Sequence, residues 1–332
     1  MNIDLSKNEI GALLIIQRLI QTQQPLNRQN IKHIAEIKLP AVFIKYDHII
    51  DALHKKKLIS GNNDEFLLTT KGKEQLKIIT KKHSLHAFFY NEYYQAVLTS
   101  KAHALFCKKI YGKNLGQHGM TDMAQLNALL KEMQAAPAMS ILDFGCGDGR
   151  ISEYISDTTH TFVSGVDIAD KAIELAQERT KEKEDRIRFY CANLDEDQGA
   201  LPHDVFDRII AIDSLFFAKD QKAILETFLK YLKKDGKLGI FYIFPWEPEG
   251  LRPEQTTFGK ILTELGLHYY TKNFTAQNYE HWIKKKNVLL ELEAKFYQEG
   301  QEFLFKNRMA ECQGGLENFH HYLFVIKIPA TH

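Results

Sequence analysis

The sequence predicts an α/β protein: a doubly wound, mostly parallel sheet that follows a separate helix-rich N-terminal domain. Three observations carry that expectation. From residue 140 onward, short apolar runs of strand length alternate with helix-length segments. The first of these runs enters a turn with glycine at every second position, 145, 147 and 149. The first 82 residues instead have helical apolar spacing interrupted by one turn-rich stretch.

Composition sets the frame. The chain has 332 residues, 44% hydrophobic and 26% charged, which suits a globular protein of about two domains. No apolar run reaches the ~18 residues of a membrane span, so no membrane association is expected. Met1-Asn-Ile-Asp-Leu-Ser6 lacks a basic stretch followed by an apolar core, so no signal peptide is expected and the cytoplasm is the natural compartment. Four cysteines lie far apart without a C-x-x-C pair, so neither a metal site nor a disulfide framework is indicated. The net charge of +1 conceals an asymmetry: Met1–Lys82 holds 14 Lys+Arg against 8 Asp+Glu, and the remainder holds 29 against 34.

In the N-terminal segment, helical faces run over Lys7–Gln23 and around Ile31, Ile34 and Ala35, and a third helix opens at Pro40 with Tyr46, Ile49, Ile50 and Leu53 on one side. Two short strands then flank Gly61-Asn-Asn-Asp64, and a helix starts near Lys71. This order is similar to a winged helix. Its third helix has no Arg, Asn or Gln between Pro40 and His54 to read base edges, and Val42 and Ile44 are expected on its exposed face. The segment resembles the N-terminal winged helix that many small-molecule O-methyltransferases use for dimerisation. That resemblance implies a homodimer through 1–82 and makes DNA an unlikely partner. Residues 83–136 form an aromatic-rich helical connector and a turn-rich loop at Gln117-His118, and 137–332 hold the sheet.

In the sheet domain, Ser140–Phe144 is a buried strand, Gly145, Gly147 and Gly149 make the turn, and Arg150 opens a helix whose free N–H groups favour a negative ligand group. The spacing G-x-G-x-G differs from the G-x-G-x-x-G of dinucleotide folds. Asp143, just before the turn, would repel a pyrophosphate and welcome an amino group. Asp167 ends the second strand ~20 residues on, as expected for an acid gripping ribose hydroxyls. Asn193 follows the third strand and suits an adenine edge, and Asp213 ends the fourth. A long helix-forming stretch, 273–311, precedes the last strand and reads as a lid over the rim.

Together these residues resemble the class I S-adenosylmethionine (SAM) methyltransferases, with their D-x-G-x-G-x-G motif followed by D and then D or N. The resemblance implies a Rossmann-like methyltransferase fold and SAM as cofactor. It places Gln117, His118, Asp143, Gly145, Cys146, Gly147, Asp167, Ile168, Asn193, Leu194 and Asp213 around that cofactor. Within the class, Tyr111-Gly-Lys-Asn114 followed by Gln117-His118-Gly119 is similar to the loop of phosphoethanolamine N-methyltransferases that caps the methionine end of SAM. The histidine those enzymes use beyond strand four is absent; Phe216 and Phe217 stand there. Their basic clamp after strand five is also absent.

The implied function is methyl transfer to nitrogen or oxygen of a small-molecule acceptor. His118, Tyr94 and His103 are the candidate bases, and Phe216, Phe217, Trp246 and Trp282 the candidate acceptor walls. Apolar walls near Glu247 and Glu249 predict a neutral or cationic acceptor, an amine or hydroxylated aromatic, over a phosphate. A SAM-binding transcription regulator, suggested by the basic N-terminus, and an RNA methyltransferase are the alternatives.

Overall fold

The computed structural model describes residues 3–62, 65–195, 199, 201–203, 205–244, 251–313, 315 and 319–328. The chain begins with α1 (Lys7–Gln21), opened by a capping box in which Ser6 accepts from Glu9 N and the Glu9 carboxylate accepts from Ser6 N. Next come α2 (Arg28–Lys38), α3 (Pro40–Ile44) and α4 (Tyr46–Lys55), then the hairpin β1 (Ile59–Gly61) and β2 (Phe66–Leu68), and α5 (Thr70–Lys82). The single third helix expected from sequence is thus two, broken at Lys45. Val42, expected outside, is buried: α1 carries glycine at position 11, where a Cβ would stand 3.1 Å from the Val42 side chain. Ile44 does face outward, at 79% exposure. This segment has its own core of Leu13, Ile16, Ile31, Ile50 and Leu53.

The connector forms α6 (Leu85–Thr99) and α7 (Lys101–Tyr111), capped by Ser84 and Ser100, and α8 (Met123–Met133) follows. The sheet domain then runs β3 (Ser140–Phe144), α9 (Arg150–Thr159), β4 (Phe162–Asp167), α10 (Asp170–Thr180), β5 (Ile187–Cys191), β6 (Phe206–Ile212), α11 (Gln221–Tyr231), β7 (Leu232–Phe244), α12 (Thr257–Glu264), β8 (His268–Asn273), α13 (Thr275–Gln298), α14 (Glu302–Cys312) and β9 (His320–Lys327). The strand order is β5-β4-β3-β6-β7-β9-β8. The β3–β4, β4–β5, β3–β6 and β6–β7 pairs are parallel, and β9 runs antiparallel to both neighbours. Strand β8 was not expected. It is an edge strand whose His268-Tyr-Tyr-Thr-Lys-Asn273 is half-exposed, so it lacks the apolar run that marks the inner strands.

Two apolar layers sandwich the sheet, one around Ile209, Phe228, Ile240 and Phe324, the other around Leu129, Ile141, Phe241 and Val325. A third cluster joins Phe89 and Tyr93 of α6 to Leu289 and Phe296 of α13. Helix α14 reaches the N-terminal segment, where Lys306 pairs with Glu36 at 2.6 Å and Asn307 Nδ2 donates to the Ile37 carbonyl at 2.9 Å. The N-terminal helices are thereby fixed above the carboxyl ends of the parallel strands, the edge at which such sheets bind ligands.

Candidate active site

A cavity of about 1120 Å³ opens along that edge and continues beneath α1, α2 and α6. Its volume exceeds the ~300–1,000 Å³ of an ordinary small-molecule site, which leaves space for a cofactor and a second molecule together. Of the residues expected at the site, Tyr94, Gln117, His118, Asp143, Gly145, Cys146, Asp167, Ile168, Asn193, Leu194, Asp213 and Phe217 line it.

At the strand ends the backbone is shaped by its glycines. Gly145 and Gly147 sit at φ +76° and +57°, a region that costs other residues roughly 1–2 kcal/mol. Their neighbours make them indispensable. A Cβ at Gly145 would meet Ser214 Cβ at 2.4 Å, and one at Gly147 would meet Tyr94 Oη at 2.0 Å. Gly147 is therefore not at the cavity wall; Tyr94 of α6 covers it. Space freed by the glycine is used by the protein's own tyrosine rather than by a ligand.

Asp143 is buried and accepts from Ser152 Oγ at 2.6 Å through Oδ2, and no described donor bonds its other oxygen. Burial pushes its carboxyl up to about 6, with Asp167 adding to the rise. Asp167 accepts from Gly147 N at 2.9 Å and from Ala169 N at 2.9 Å. Each of its oxygens retains a lone pair for a hydroxyl donor. The rim thus offers two carboxylates, a backbone turn and the Asn193 side chain in the order that a nucleoside with an attached amino acid requires.

Asp213, expected as a cofactor contact, lines the cavity, and its carboxylate is held by the protein itself. It adopts φ +52°, and its Oδ2 accepts from Met120 N (2.7 Å), Thr121 N (3.0 Å) and Thr121 Oγ1 (3.0 Å). Its Oδ1 receives His321 Nε2 at 3.2 Å. Although burial works to raise it, the His321 bond and these donors hold the Asp213 carboxyl below its ordinary value. The residue anchors the 115–121 loop to the end of β6.

The same loop is tied from the other side. Tyr111 Oη donates to Gly119 O at 2.9 Å, Tyr93 Oη to Gln117 O at 3.2 Å, and Arg308 to His118 O at 2.6 Å. His118 Nε2 lies 3.1 Å from Glu311 Oε1 and 3.3 Å from Asn307 Oδ1. Two acceptors at Nε2 place the proton there and leave Nδ1 as a lone pair. Burial pushes the imidazole down to about 3, despite the pull of Glu311, so His118 is neutral at physiological pH. Its ring packs edge-on to Phe89, Tyr90 and Tyr93.

Several expected residues lie elsewhere. His103 is fully buried, bonded to Tyr93 Oη at 2.9 Å and outside the cavity lining, and burial pushes it well down; it is a core histidine. Trp282 is buried with Nε1 on Met120 Sδ at 3.1 Å, and Phe216 sits behind Phe217 at a centroid distance of 4.4 Å. Trp246, with Glu247 and Glu249, falls outside the described residues. The 273–311 helices do not cover the rim as a lid: no described lining residue comes from them. They carry the buried Lys285 and Arg308 and the half-buried Glu311, which brace the His118 loop from behind. The cavity is roofed instead by α1, α2 and α6. That roof supplies Arg18, Lys38, His86 and Tyr90, none of them expected. The spacing 86, 90, 94 on one helix, all polar aromatics, was the available signal.

Comparison with known proteins agrees with this geometry. Residues 141–236 match the methyltransferase domain family. Methyltransferase GfsG of Streptomyces halstedii is 29% identical over 116 residues, 34% of this chain and 40% of that protein. Phosphoethanolamine N-methyltransferase 1 of Arabidopsis thaliana is 26% identical over 133 residues, 40% of this chain and 26% of that protein. The matches thus span well under half the length of these relatives. Among solved structures, the Haemonchus contortus phosphoethanolamine N-methyltransferase 2 in complex with phosphomonomethylethanolamine and S-adenosylhomocysteine superposes with TM-score 0.52 at 19% identity, covering 72% of this chain and 59% of that one. The [4+2]-cyclase SpnF superposes with TM-score 0.57 at 13% identity, covering 73% and 97%. At such identities the superpositions speak for the fold. The methyltransferase-domain match over residues 141–236 and these relatives support a class I S-adenosylmethionine-dependent methyltransferase with S-adenosylmethionine as its cofactor.

Proposed function

We propose that the protein methylates a nitrogen or oxygen of a small molecule held between Tyr90, His118, Phe217 and the N-terminal helices. The observation that carries this reading is the continuity of the cavity, which runs from the strand-end rim into an aromatic chamber under α6. Bound SAM supplies a methyl group on a sulfonium, so the protein's task is placement. Fixing donor and acceptor in line can contribute about 7–11 kcal/mol.

Among the described residues, the chamber presents no strong base. Burial, then Asp148 and Asp167, hold the Tyr94 phenol well above its usual range, and Tyr90 is raised as well. His118 is too weak to be protonated near neutrality, but its Nδ1 lone pair is suited to accept a hydrogen bond from an acceptor N–H or O–H and aim the opposite lone pair. An acceptor that is nucleophilic without prior deprotonation, as a neutral amine is, fits these groups best. Tyr90 and Phe217 add ring faces for the ammonium that forms, each worth about 0.5–2 kcal/mol. Pairing of two copies through 1–82 belongs to the same proposal, supported by the exposed Ile44 and Leu67.

The test is calorimetry with SAM and S-adenosylhomocysteine, followed by a transfer screen with labelled SAM over amines, phenols and their anionic derivatives. Micromolar cofactor binding with transfer to at least one amine is expected. Cofactor binding with no transfer to any of these acceptors overturns the reading, since the fold alone is shared with a cyclase.

A further inference from the structure

We infer that Arg18, Lys38 and His86 form an anion-binding subsite at the roof of the acceptor chamber, and that the methyl acceptor carries a carboxylate or phosphate which these residues recognise. The inference rests on the acceptor-chamber reading above and adds to it the charge of the substrate.

Charge along the cavity is segregated. Asp143, Asp148, Asp167, Asp170, Asp195 and Asp213 line its strand-end half, where the sulfonium and amino group of SAM call for negative charge. The opposite end, built from α1, α2 and the α5–α6 junction, presents Arg18, Lys38, Lys81 and Lys82 without a carboxylate. Two lysines, Lys171 and Lys219, line the acidic half; Lys171 is paired with Glu174.

Some cations of the N-terminal helices have carboxylate partners. Lys7 pairs with Glu92, Arg28 with Asp47 and Lys56 with Glu9. Among the described residues, Arg18 and Lys38 have none. Lys38 lies over the Phe89 ring at 4.6 Å, and the same ring meets His118 edge-on at 5.3 Å. One phenyl ring therefore separates the Lys38 ammonium from the imidazole of the chamber. His86 packs on Phe217 at 5.0 Å, and Phe217 on Tyr90 at 6.3 Å, so all three groups border the same space as the proposed acceptor.

Their effects on one another show the closeness. Burial lowers the Lys38 ammonium most; Glu311 pulls it up, and Arg18 lowers it further. Burial, Lys38 and Arg18 lower His86. Three groups that can each carry positive charge thus share a cavity end whose described lining residues include no carboxylate. An arriving oxyanion removes that conflict: the guanidinium offers a planar pair of N–H donors, the ammonium a point charge, and the imidazole a further donor. A neutral or purely cationic acceptor, the expectation from sequence, would leave it unrelieved.

The experiment uses the full chain saturated with S-adenosylhomocysteine, titrated with inorganic phosphate in one arm and acetate in the other at constant ionic strength. Binding is read by calorimetry in wild type, Arg18→Gln, Lys38→Met and Lys38→Arg. Wild type is expected to bind at least one anion, with Arg18→Gln and Lys38→Met weakening it tenfold or more and Lys38→Arg restoring most of it. The stronger arm tells whether the acceptor carries phosphate or carboxylate. No anion binding by wild type, or equal binding by wild type and both charge-removing variants, overturns the inference. Cofactor affinity is measured in parallel and is expected to change less than twofold. Its loss in wild type would overturn the methyltransferase reading instead, so the two failures are distinguishable.

Discussion

Replacing Asp213 by asparagine tests whether this residue anchors the loop or touches the cofactor. The carboxylate is buried and accepts four hydrogen bonds, three at Oδ2 from Met120 and Thr121 and one at Oδ1 from His321 Nε2. His321 cannot switch its proton at no cost, because its Nδ1 faces Gln125 Nε2 at 3.3 Å while Gln125 Oε1 is committed to Asp122 N at 2.9 Å. An asparagine that keeps its oxygen toward the loop points its amide N–H at the His321 N–H. The reverse orientation points it at three loop donors. Either way one buried donor faces another, and the charge that strengthened the remaining bonds is gone. Bonds to a charged acceptor are each worth ~1.5–3 kcal/mol, so Asp213→Asn is expected to cost about 3 kcal/mol in urea unfolding. The loop it releases lines the cavity, so SAM affinity in calorimetry should fall about tenfold or more. A folded Asp213 carboxyl below its ordinary value contributes stability that is fully present above pH ~4 and lost as the pH falls through the folded value. The wild-type advantage should therefore shrink in acid. Unchanged unfolding midpoint and unchanged cofactor affinity in Asp213→Asn would refute the anchoring role.

Gly147→Ala places a methyl 2.0 Å from Tyr94 Oη at φ +57°, and backbone strain plus overpacking are expected to cost about 2–5 kcal/mol. Tyr94→Ala in the same chain should recover part of the denaturation midpoint, and no recovery would show that the tyrosine is not the obstacle. Lys285 is fully buried, 2.8 Å from Glu311 Oε2 and 3.8 Å from the Trp282 ring centroid, and burial with Arg308 pushes it down to about 8. Its folded value lies below the unfolded one, so stability is gained as the pH rises from about 8 to 10.5 and lost again on the way down. Relative to Lys285→Met, wild type should gain about 3 kcal/mol over that window; a pH-independent difference between the two refutes it.

The strand-end half of the site was legible because its signals are local. A buried strand, a glycine turn and an acid at the next strand end lie within 28 residues, and parallel sheets bring successive strand ends to one edge whatever lies outside them. His103 and Trp282 were misplaced for the opposite reason. Periodicity marks His103 with Ala102, Phe106 and Ile110 as one buried face of α7, and Trp282 as a buried position of α13, but it does not say whether such a face meets the cavity or a neighbouring element. Edge strand β8 and the break at Lys45 were missed because each depends on a neighbour distant in sequence. The expected lid had the right helices in the wrong role, since packing against α2, α6 and α7 turned them into a brace.

The N-terminal charge shows where composition stops and geometry begins. An excess of six positive charges over Met1–Lys82 was evident, and it raised a nucleic-acid surface as one reading. The structure divides that excess. Some of it is neutralised locally, as in Lys56 with Glu9 and Arg28 with Asp47. The part carried by Arg18 and Lys38 lines the cavity, Arg18 at its exposed edge. Helix α14 fixes that placement, because its Lys306–Glu36 pair and the Asn307 bond to Ile37 hold the end of α2, where Lys38 stands, beside the His118 loop. On the proposed reading, the sheet domain holds the cofactor, while α1, α2 and α6 together with His118 and Phe217 hold the acceptor. Asp167→Ala should therefore weaken SAM, whereas Arg18→Gln and Lys38→Met should weaken the acceptor and leave SAM affinity within twofold.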